Sequence, residues 1–228
     1  MNSSSPARSF QVRHVQVSRA ALAAIAAIMI TFSPDHSAAV GLSVFSGFAF
    51  ATGLIFALSA WLVYPAGHRW SAVLLAALSL LAGMIAGIPS MRSVVVYFVV
   101  VIAWAALTGF VEALSGWRVR RGTTQQTTAP DATAPDATAQ DGSAHARDAL
   151  VVGALGILLA LALVFVPPQF ALNYAIEKVG EFTLTGITIG VGIFGGYCAI
   201  IAVYLGIAGF SPRTPVLTAT LEQEAQDA

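Results

Sequence analysis

The stretch 93–121 constrains the fold of this chain more than any other. It opens with about twenty mostly apolar residues and closes on Trp117 and three arginines. An apolar helix of that length spans the hydrocarbon core of a bilayer. In hydrocarbon the backbone must satisfy its own donors and acceptors, and a helix does so within one segment. The sequence therefore predicts an integral membrane protein.

The composition supports this prediction and excludes several classes of function. Of the 228 residues, 57% are hydrophobic and 10% are charged, whereas charged residues make up about a quarter of a soluble domain. The formal net charge is zero, so no nucleic-acid partner is expected. The single cysteine, Cys198, cannot form an intramolecular disulfide. The four histidines are scattered and not at ligand spacing, so we expect no metal and no other cofactor.

The predicted fold is all-α, with six transmembrane helices arranged as three parallel helical hairpins. Long apolar runs ended by prolines and turn residues define the helices. The run 20–32 would also fit a signal-peptide core, but the hairpin repeat needs it as helix 1, which we extend back to Val15. The expected segments are an N-terminal segment (1–18), helices 1–4 (19–117), a flexible loop (118–148), helices 5 and 6 (149–211) and a tail (212–228). The part 122–147 is rich in Thr, Ala and Pro and too polar to order itself.

Basic residues predict the orientation in the membrane. Nine Lys or Arg residues fall in the termini and in the loops on one side of the predicted spans, against two, Arg92 and Lys178, on the other. Loops rich in basic residues stay in the cytoplasm. We therefore expect a multi-pass membrane protein with both termini and the long loop in the cytoplasm.

An internal repeat supports the hairpin arrangement. Residues 52–61 and 108–117 match at six of ten positions, 56 residues apart. Small residues fall along one face of each even-numbered helix, where they would let two helix backbones approach closely. These predicted helix-packing residues are Ala49, Gly53, Ala57 and Ala60 in helix 2, Ala105, Gly109, Ala113 and Gly116 in helix 4, and Gly195 and Ala199 in helix 6.

These residues resemble the HdeD-like family of short-repeat bacterial membrane proteins. The resemblance is carried by the helix 70–89, with Leu-Leu-Ala-Gly at 80–83, and by the run 102–113, Ile-Ala-Trp-Ala-Ala-Leu-Thr-Gly-Phe-Val-Glu-Ala, which leads into a basic cluster. It covers residues 15–211 except the long loop, whose insertion departs from the family. The resemblance implies six helices in repeated hairpins and a role in acid-stress resistance. Similar actinobacterial chains carry an acyl-CoA synthetase label.

Glu112 is the candidate functional residue, because ionisable groups inside a span are costly and are often functional. Its counterpart in the first repeat is Phe56. Two interpretations remain open. Glu112 either reaches the cytoplasmic interface near Arg118, or it has a proton-responsive or partner-binding role. Arg19 is expected to extend its side chain to the interface.

Other residues are interpreted by their positions near the span ends. Indole rings and basic side chains anchor helices at the membrane surface, and in a second interpretation the arginines hold anionic lipid headgroups. The expected anchors are Trp61, Trp70, Trp117, Arg118, Arg120 and Arg121. The segment 169–180 is expected to be a connector or a short amphipathic surface helix, since Phe170 and Tyr174 lie four residues apart.

The sequence favours a protein without catalysis. An adenylating ligase needs a phosphate-binding loop with a lysine, whereas Lys178 is the only lysine and lies on the predicted outer side. We expect a non-catalytic membrane protein of the envelope stress response, or a scaffold for a protein partner. The alternatives are a small-solute or proton conduit that uses Glu112, and a structural subunit whose partner contacts residues 122–147.

Overall fold

The computed structural model describes residues 12–62, 69–127, 137–176 and 180–211. A short 3-10 helix, Pro89–Met91, precedes α4. The α-helices in the described part are α1 (Val12–Thr31), α2 (Ala38–Leu62), α3 (Trp70–Gly87), α4 (Val94–Thr127), α5 (Ala137–Val164) and α6 (Gly186–Phe210). Two strands, β1 (Ala171–Ile176) and β2 (Gly180–Thr185), lie between α5 and α6.

All six helices are long and apolar enough to cross a membrane, so the predicted six-helix membrane fold is confirmed. Prolines set several of the ends. Gly87 closes α3 just before Pro89, because proline has no N–H to continue the hydrogen-bond ladder. At the start of α6, the Thr185 hydroxyl accepts a hydrogen bond from the Thr188 N–H at 3.3 Å, which satisfies one of the free donors of the first turn.

The helices form a closed ring. Each even-numbered helix packs most closely on the next odd-numbered one: α2 on α3, α4 on α5, and α6 on α1. Looser contacts within the pairs α1/α2, α3/α4 and α5/α6 complete the ring, and α2 also touches α4 and α6. The close pairs therefore join one predicted hairpin to the next. That the hairpins are repeats of one unit stays a prediction.

Glycines bring the backbones of α4 and α5 into direct contact. A Cβ atom on Gly153 would lie 2.5 Å from the Ala113 nitrogen and 2.6 Å from the Gly109 oxygen. A Cβ on Gly116 would lie 2.6 Å from the Ala146 oxygen. No side chain fits at such distances, so this interface requires glycine. The small residues predicted on helix 4 lie here, whereas their partner Gly153 on α5 was not anticipated.

The other two close pairs have fewer backbone contacts. A Cβ on Gly53 of α2 would lie 2.9 Å from the Leu80 nitrogen of α3. A Cβ on Gly195 of α6 would lie 2.8 Å from a methyl carbon of Ile30 on α1. Ala49, Ala60 and Ala105 are buried as the predicted packing faces require.

Two of the predicted packing residues lie elsewhere. Ala57 and Ala199 are exposed, so their assignment to the packing faces is wrong. A spacing of four residues rotates the side chain by about 40° at each step. Ala57, two such steps from Ala49, is exposed, whereas Ala113 at the equivalent position of α4 stays half-buried, because Gly153 of α5 packs against its backbone.

The segment between α5 and α6 is an antiparallel β-hairpin, which corrects the expected connector or amphipathic helix. Leu172 lies opposite Leu184, and Tyr174 lies opposite Phe182. The strands alternate and are rich in Thr and aromatic residues, which favours sheet. The spacing of Phe170 and Tyr174 fits a period of two as well as a helix, and the helical interpretation was wrong. Consequently α6 begins only at Gly186, after the second strand.

The flexible loop expected over 118–148 is wrong for both of its flanks, which are helical. Helix α4 continues to Thr127 and α5 already begins at Ala137, so only residues 128–136 of the loop lie outside the described residues. Extending an existing helix costs far less than nucleating a new one. For the same reason α1 begins at Val12, inside the expected N-terminal segment 1–18. Residues 1–11 and the tail 212–228 lie outside the described residues.

Candidate functional site

An ion pair inside the ring joins the first helix to the fourth. The Arg19 guanidinium on α1 donates from Nη2 to Oε1 of Glu112 on α4 at 2.6 Å. The two side chains are 17% and 8% exposed. The guanidinium carbon of Arg19 also lies 4.5 Å from the ring centroid of Phe56 on α2. Arg19 therefore ties three helices together at one point.

This geometry corrects two predictions. Arg19 turns into the ring and does not extend to the membrane interface. Glu112 is bonded to Arg19 and is 6% exposed, so the interpretation that places it at the interface near Arg118 is wrong. Phe56 and Glu112 occupy equivalent positions of the repeated sequence, and the structure brings both to the same guanidinium. Whether Glu112 has a functional role stays a prediction.

A second polar contact lies one helical turn before Arg19. The Gln16 amide donates from Nε2 to Oδ2 of Asp148 at 2.8 Å, and the Tyr204 hydroxyl donates to Oδ1 at 3.0 Å. Gln16 and Asp148 are both buried. Sequence reasoning missed Asp148, because it placed the start of helix 5 at residue 149, just after this carboxylate, whereas α5 begins at Ala137. The spacing of Gln16 and Arg19, three residues apart on one helix face, was the available signal.

A cavity of about 60 Å³ lies beside these two contacts. We call it the outer chamber, because it lies on the side of the ion pair where the ring carries its arginine-rich helix ends. It is lined by polar side chains from α1, α3, α4 and α5 together with apolar side chains from all the helices except α4. Its polar lining consists of Gln16, Arg19, Ser71, Glu112, Ser115, His145 and Asp148. The Gln16 Oε1 atom is buried and has no hydrogen-bond partner in the part of the chain that the structure describes.

A smaller cavity of about 20 Å³, the inner chamber, lies on the other side of the ion pair. Arg19 and Glu112 line both cavities. The Thr108 hydroxyl donates to the Trp104 carbonyl at 2.6 Å, and the indole N–H of Trp104 donates to the Ser79 hydroxyl at 3.2 Å. Thr52 Oγ1, in contrast, is buried without a partner.

Aromatic rings fill the interior beyond the inner chamber. Phe45 and Phe48 lie edge-on to Trp104, with ring centroids 5.3 and 5.7 Å away. Phe194 lies edge-on to the same two phenylalanines at 5.5 and 5.7 Å. Further along, the buried Tyr97 hydroxyl donates to the Gly190 carbonyl at 3.0 Å. We call this group the aromatic core.

The predicted interface anchors lie together at the arginine-rich end of the ring. The guanidinium carbon of Arg118 on α4 lies 5.0 Å from the Trp70 ring at the start of α3. That of Arg121 lies 3.7 Å from the Trp117 ring. Trp61, at the end of α2, is 80% exposed, and Arg120 is exposed as well. This placement is compatible with interface anchoring, which stays a prediction.

In the described part of the chain, no group of three or more His, Cys, Asp or Glu side chains is arranged to hold a metal ion. No protein-family model, curated protein or solved structure matches this chain. Its family and function therefore have to be argued from the site itself.

Proposed function

We propose that this multi-pass membrane protein is a non-catalytic, HdeD-like protein that acts in the envelope response to acid stress or as a membrane scaffold. One observation carries this proposal: the interior of the ring is occupied along its length by side chains that hold the helices together. In the described part of the chain, the ion pair of Arg19 and Glu112 and the aromatic core lie in this interior, and the two chambers beside the ion pair are small, about 60 and 20 Å³.

The way the helices are joined supports a scaffold. The ion pair links helices that are 93 residues apart in sequence, and glycines bring α4 and α5 into backbone contact. Burying a charge in a membrane is costly unless a partner compensates it. The ion pair therefore selects one arrangement of α1 against α4. A bundle fixed in this way suits a protein that presents a constant surface to lipids and partners.

The proposal also includes the membrane, the orientation and the partners of the protein. It places the chain in the bacterial plasma membrane with both termini in the cytoplasm, on the basis of the excess of basic residues at one side. The lipid bilayer is its first partner, with anionic lipids at the arginine-rich end. A membrane or cytoplasmic protein that contacts residues 122–147 is the second.

A small-solute or proton conduit is the second candidate, and one observation favours it. The Glu112 carboxylate lines both chambers, so it lies where a proton or solute would pass between them. Passage through the ring would then require the aromatic core to open.

A flux assay and a survival assay test the two candidates. The full chain is reconstituted into liposomes, and acidification is followed with an internal pH dye. The scaffold proposal expects the same proton leak as in protein-free liposomes, for the wild type and for Glu112→Gln alike. A flux in the wild type that Glu112→Gln abolishes would establish the conduit instead.

The stress role is tested separately with a deletion strain exposed to low pH. We expect survival to fall and to recover when the full chain is restored. Restoring a chain that lacks residues 128–136 asks whether a partner uses this segment. Unchanged survival of the deletion strain would overturn the stress role. Only the scaffold role would then remain proposed.

A further inference from the structure

We propose that the outer chamber binds a small protonated amine, of the size of ammonium or methylammonium. This inference goes beyond the scaffold role and does not depend on it. It rests on the geometry of the chamber around Gln16, Arg19, Glu112 and Asp148.

The first observation is a buried acceptor atom that lacks a donor. Gln16 is 5% exposed, and its Oε1 has no hydrogen-bond partner among the described residues. The orientation of the amide is fixed, because its nitrogen donates to the Asp148 carboxylate at 2.8 Å. Turning the amide over would place its oxygen against the carboxylate. The chamber therefore presents an acceptor, and a buried acceptor needs a donor.

The second observation is the charge of the lining. Two carboxylates, Glu112 and Asp148, border the outer chamber together with one guanidinium, that of Arg19. His145 also borders it and is left out of this count. The exposed Arg147 is not among the lining residues. Among the Asp, Glu and Arg side chains of the lining, negative charges exceed positive charges by one, which favours a monovalent cation.

The arrangement of Arg19 argues against an anion in the same place. Its guanidinium is held by Glu112 at 2.6 Å and lies over the Phe56 ring. An anion would have to displace the carboxylate from a charge-assisted hydrogen bond in a buried environment. An ammonium group, in contrast, can donate to Gln16 Oε1 without breaking any contact in the structure.

The size of the chamber limits the ligand. A volume of about 60 Å³ holds about four groups of the size of a water molecule, at roughly 15 Å³ each. Methylammonium has two heavy atoms and fits with a water molecule or two. Tetramethylammonium has five heavy atoms and no N–H donor, so it fails in both size and hydrogen bonding.

The test uses the purified full chain in detergent micelles at pH 8, where free imidazole is neutral. Thermal unfolding is followed while methylammonium chloride is added at constant total salt, with tetramethylammonium, sodium or potassium chloride making up the balance. We expect a saturable rise in the melting temperature with methylammonium and ammonium only. An equal rise with tetramethylammonium, or a saturable rise with sodium or potassium, would overturn the proposal.

Two variants locate the site. Asp148→Asn removes a negative charge, and Gln16→Met removes the free acceptor while nearly keeping the volume. Each should weaken methylammonium binding at least tenfold. Asp35→Asn is the matched control, because it removes the same charge outside the chamber. Asp35 is exposed in the loop between α1 and α2, where its carboxylate accepts hydrogen bonds from the N–H and the hydroxyl of Ser37. Binding that persists in both folded variants would refute the site.

Should both variants fail to fold, the comparison of cations on the wild type still decides. Replacing chloride by sulfate at a fixed methylammonium concentration serves as a further check. A response that follows the anion and not the cation would contradict the proposal.

Discussion

The two ends of the ring interior differ in kind: all six helices line the outer chamber, whereas α2, α4 and α6 supply the rings of the aromatic core. On one side of the ion pair lies the outer chamber, lined by polar and charged side chains that include a buried acceptor without a partner. On the other, past the small inner chamber, lies the aromatic core, where rings touch edge-on and the Tyr97 hydroxyl is satisfied. The glycine contacts position the helices against one another, and the interior side chains determine what each part of the ring can bind.

The free energy of unfolding should therefore depend on different interactions in the polar part around the outer chamber and in the aromatic core. In the polar part it depends on pairing charges, because an uncompensated charge inside the membrane is costly. In the aromatic core it depends on filled volume, because rings in contact gain dispersion energy that a cavity loses. Four sets of variants test this difference.

Removing the guanidinium in the polar part should have the largest effect. Arg19→Met leaves the Glu112 carboxylate buried without its partner, and we expect a loss of about 4 kcal/mol in the free energy of unfolding. The double variant Arg19→Met with Glu112→Leu removes both charges and should recover most of that loss. Unfolding titrations in mixed micelles with SDS measure both. A single variant within ~1 kcal/mol of the wild type would show that pairing is unimportant here.

Removing a ring from the aromatic core should cost somewhat less. Phe194→Ala creates a cavity beside Phe45 and Phe48, and we expect a loss of about 3 kcal/mol. The control is Phe110→Ala, since Phe110 is 60% exposed on the outside of α4, where lipid would replace the lost contacts. Equal losses for the two variants in the same titration would mean that the core is not tightly packed.

Replacing a helix glycine by alanine should destabilise the protein at the α4/α5 contact and not at an open position. Gly153→Ala forces a Cβ against the α4 backbone, 2.5 Å from the Ala113 nitrogen, and should cost about 2 kcal/mol. Gly47→Ala has nothing within 4 Å of the new atom and should be neutral or slightly stabilising, because alanine favours helix. Similar melting temperatures for both variants would contradict the close α4/α5 contact.

The smallest expected difference separates a bonded hydroxyl from an unbonded one. Tyr97→Phe deletes the donor to the Gly190 carbonyl and should cost about 1 kcal/mol. Thr52→Val deletes a hydroxyl that has no partner in the described structure and should change the stability by less than about 0.5 kcal/mol. The same titration compares them. A greater loss for Thr52→Val would indicate that its hydroxyl is bonded to a group bound in the inner chamber.

Much of the fold could be predicted from the sequence, and less of the candidate site. The six spans and the use of glycine in helix 4 follow from local composition. The β-hairpin was missed, because six-residue strands with Phe170 and Tyr174 four apart fit either period. Asp148 was missed, because the start of helix 5 was predicted at residue 149, twelve residues after the start of α5 at Ala137, and the carboxylate was counted as part of a loop.

The sequence by itself determined that this chain forms six membrane-crossing helices, because crossing hydrocarbon requires each segment to satisfy its own backbone and to be apolar along its own length. Only the tertiary structure decided what Arg19 and Glu112 do. From the sequence, Arg19 was expected at the membrane interface and two interpretations stayed open for Glu112, whereas the ion pair joins residues that are 93 positions apart. A contact between distant residues depends on which helices close the ring, and no local pattern contains that information.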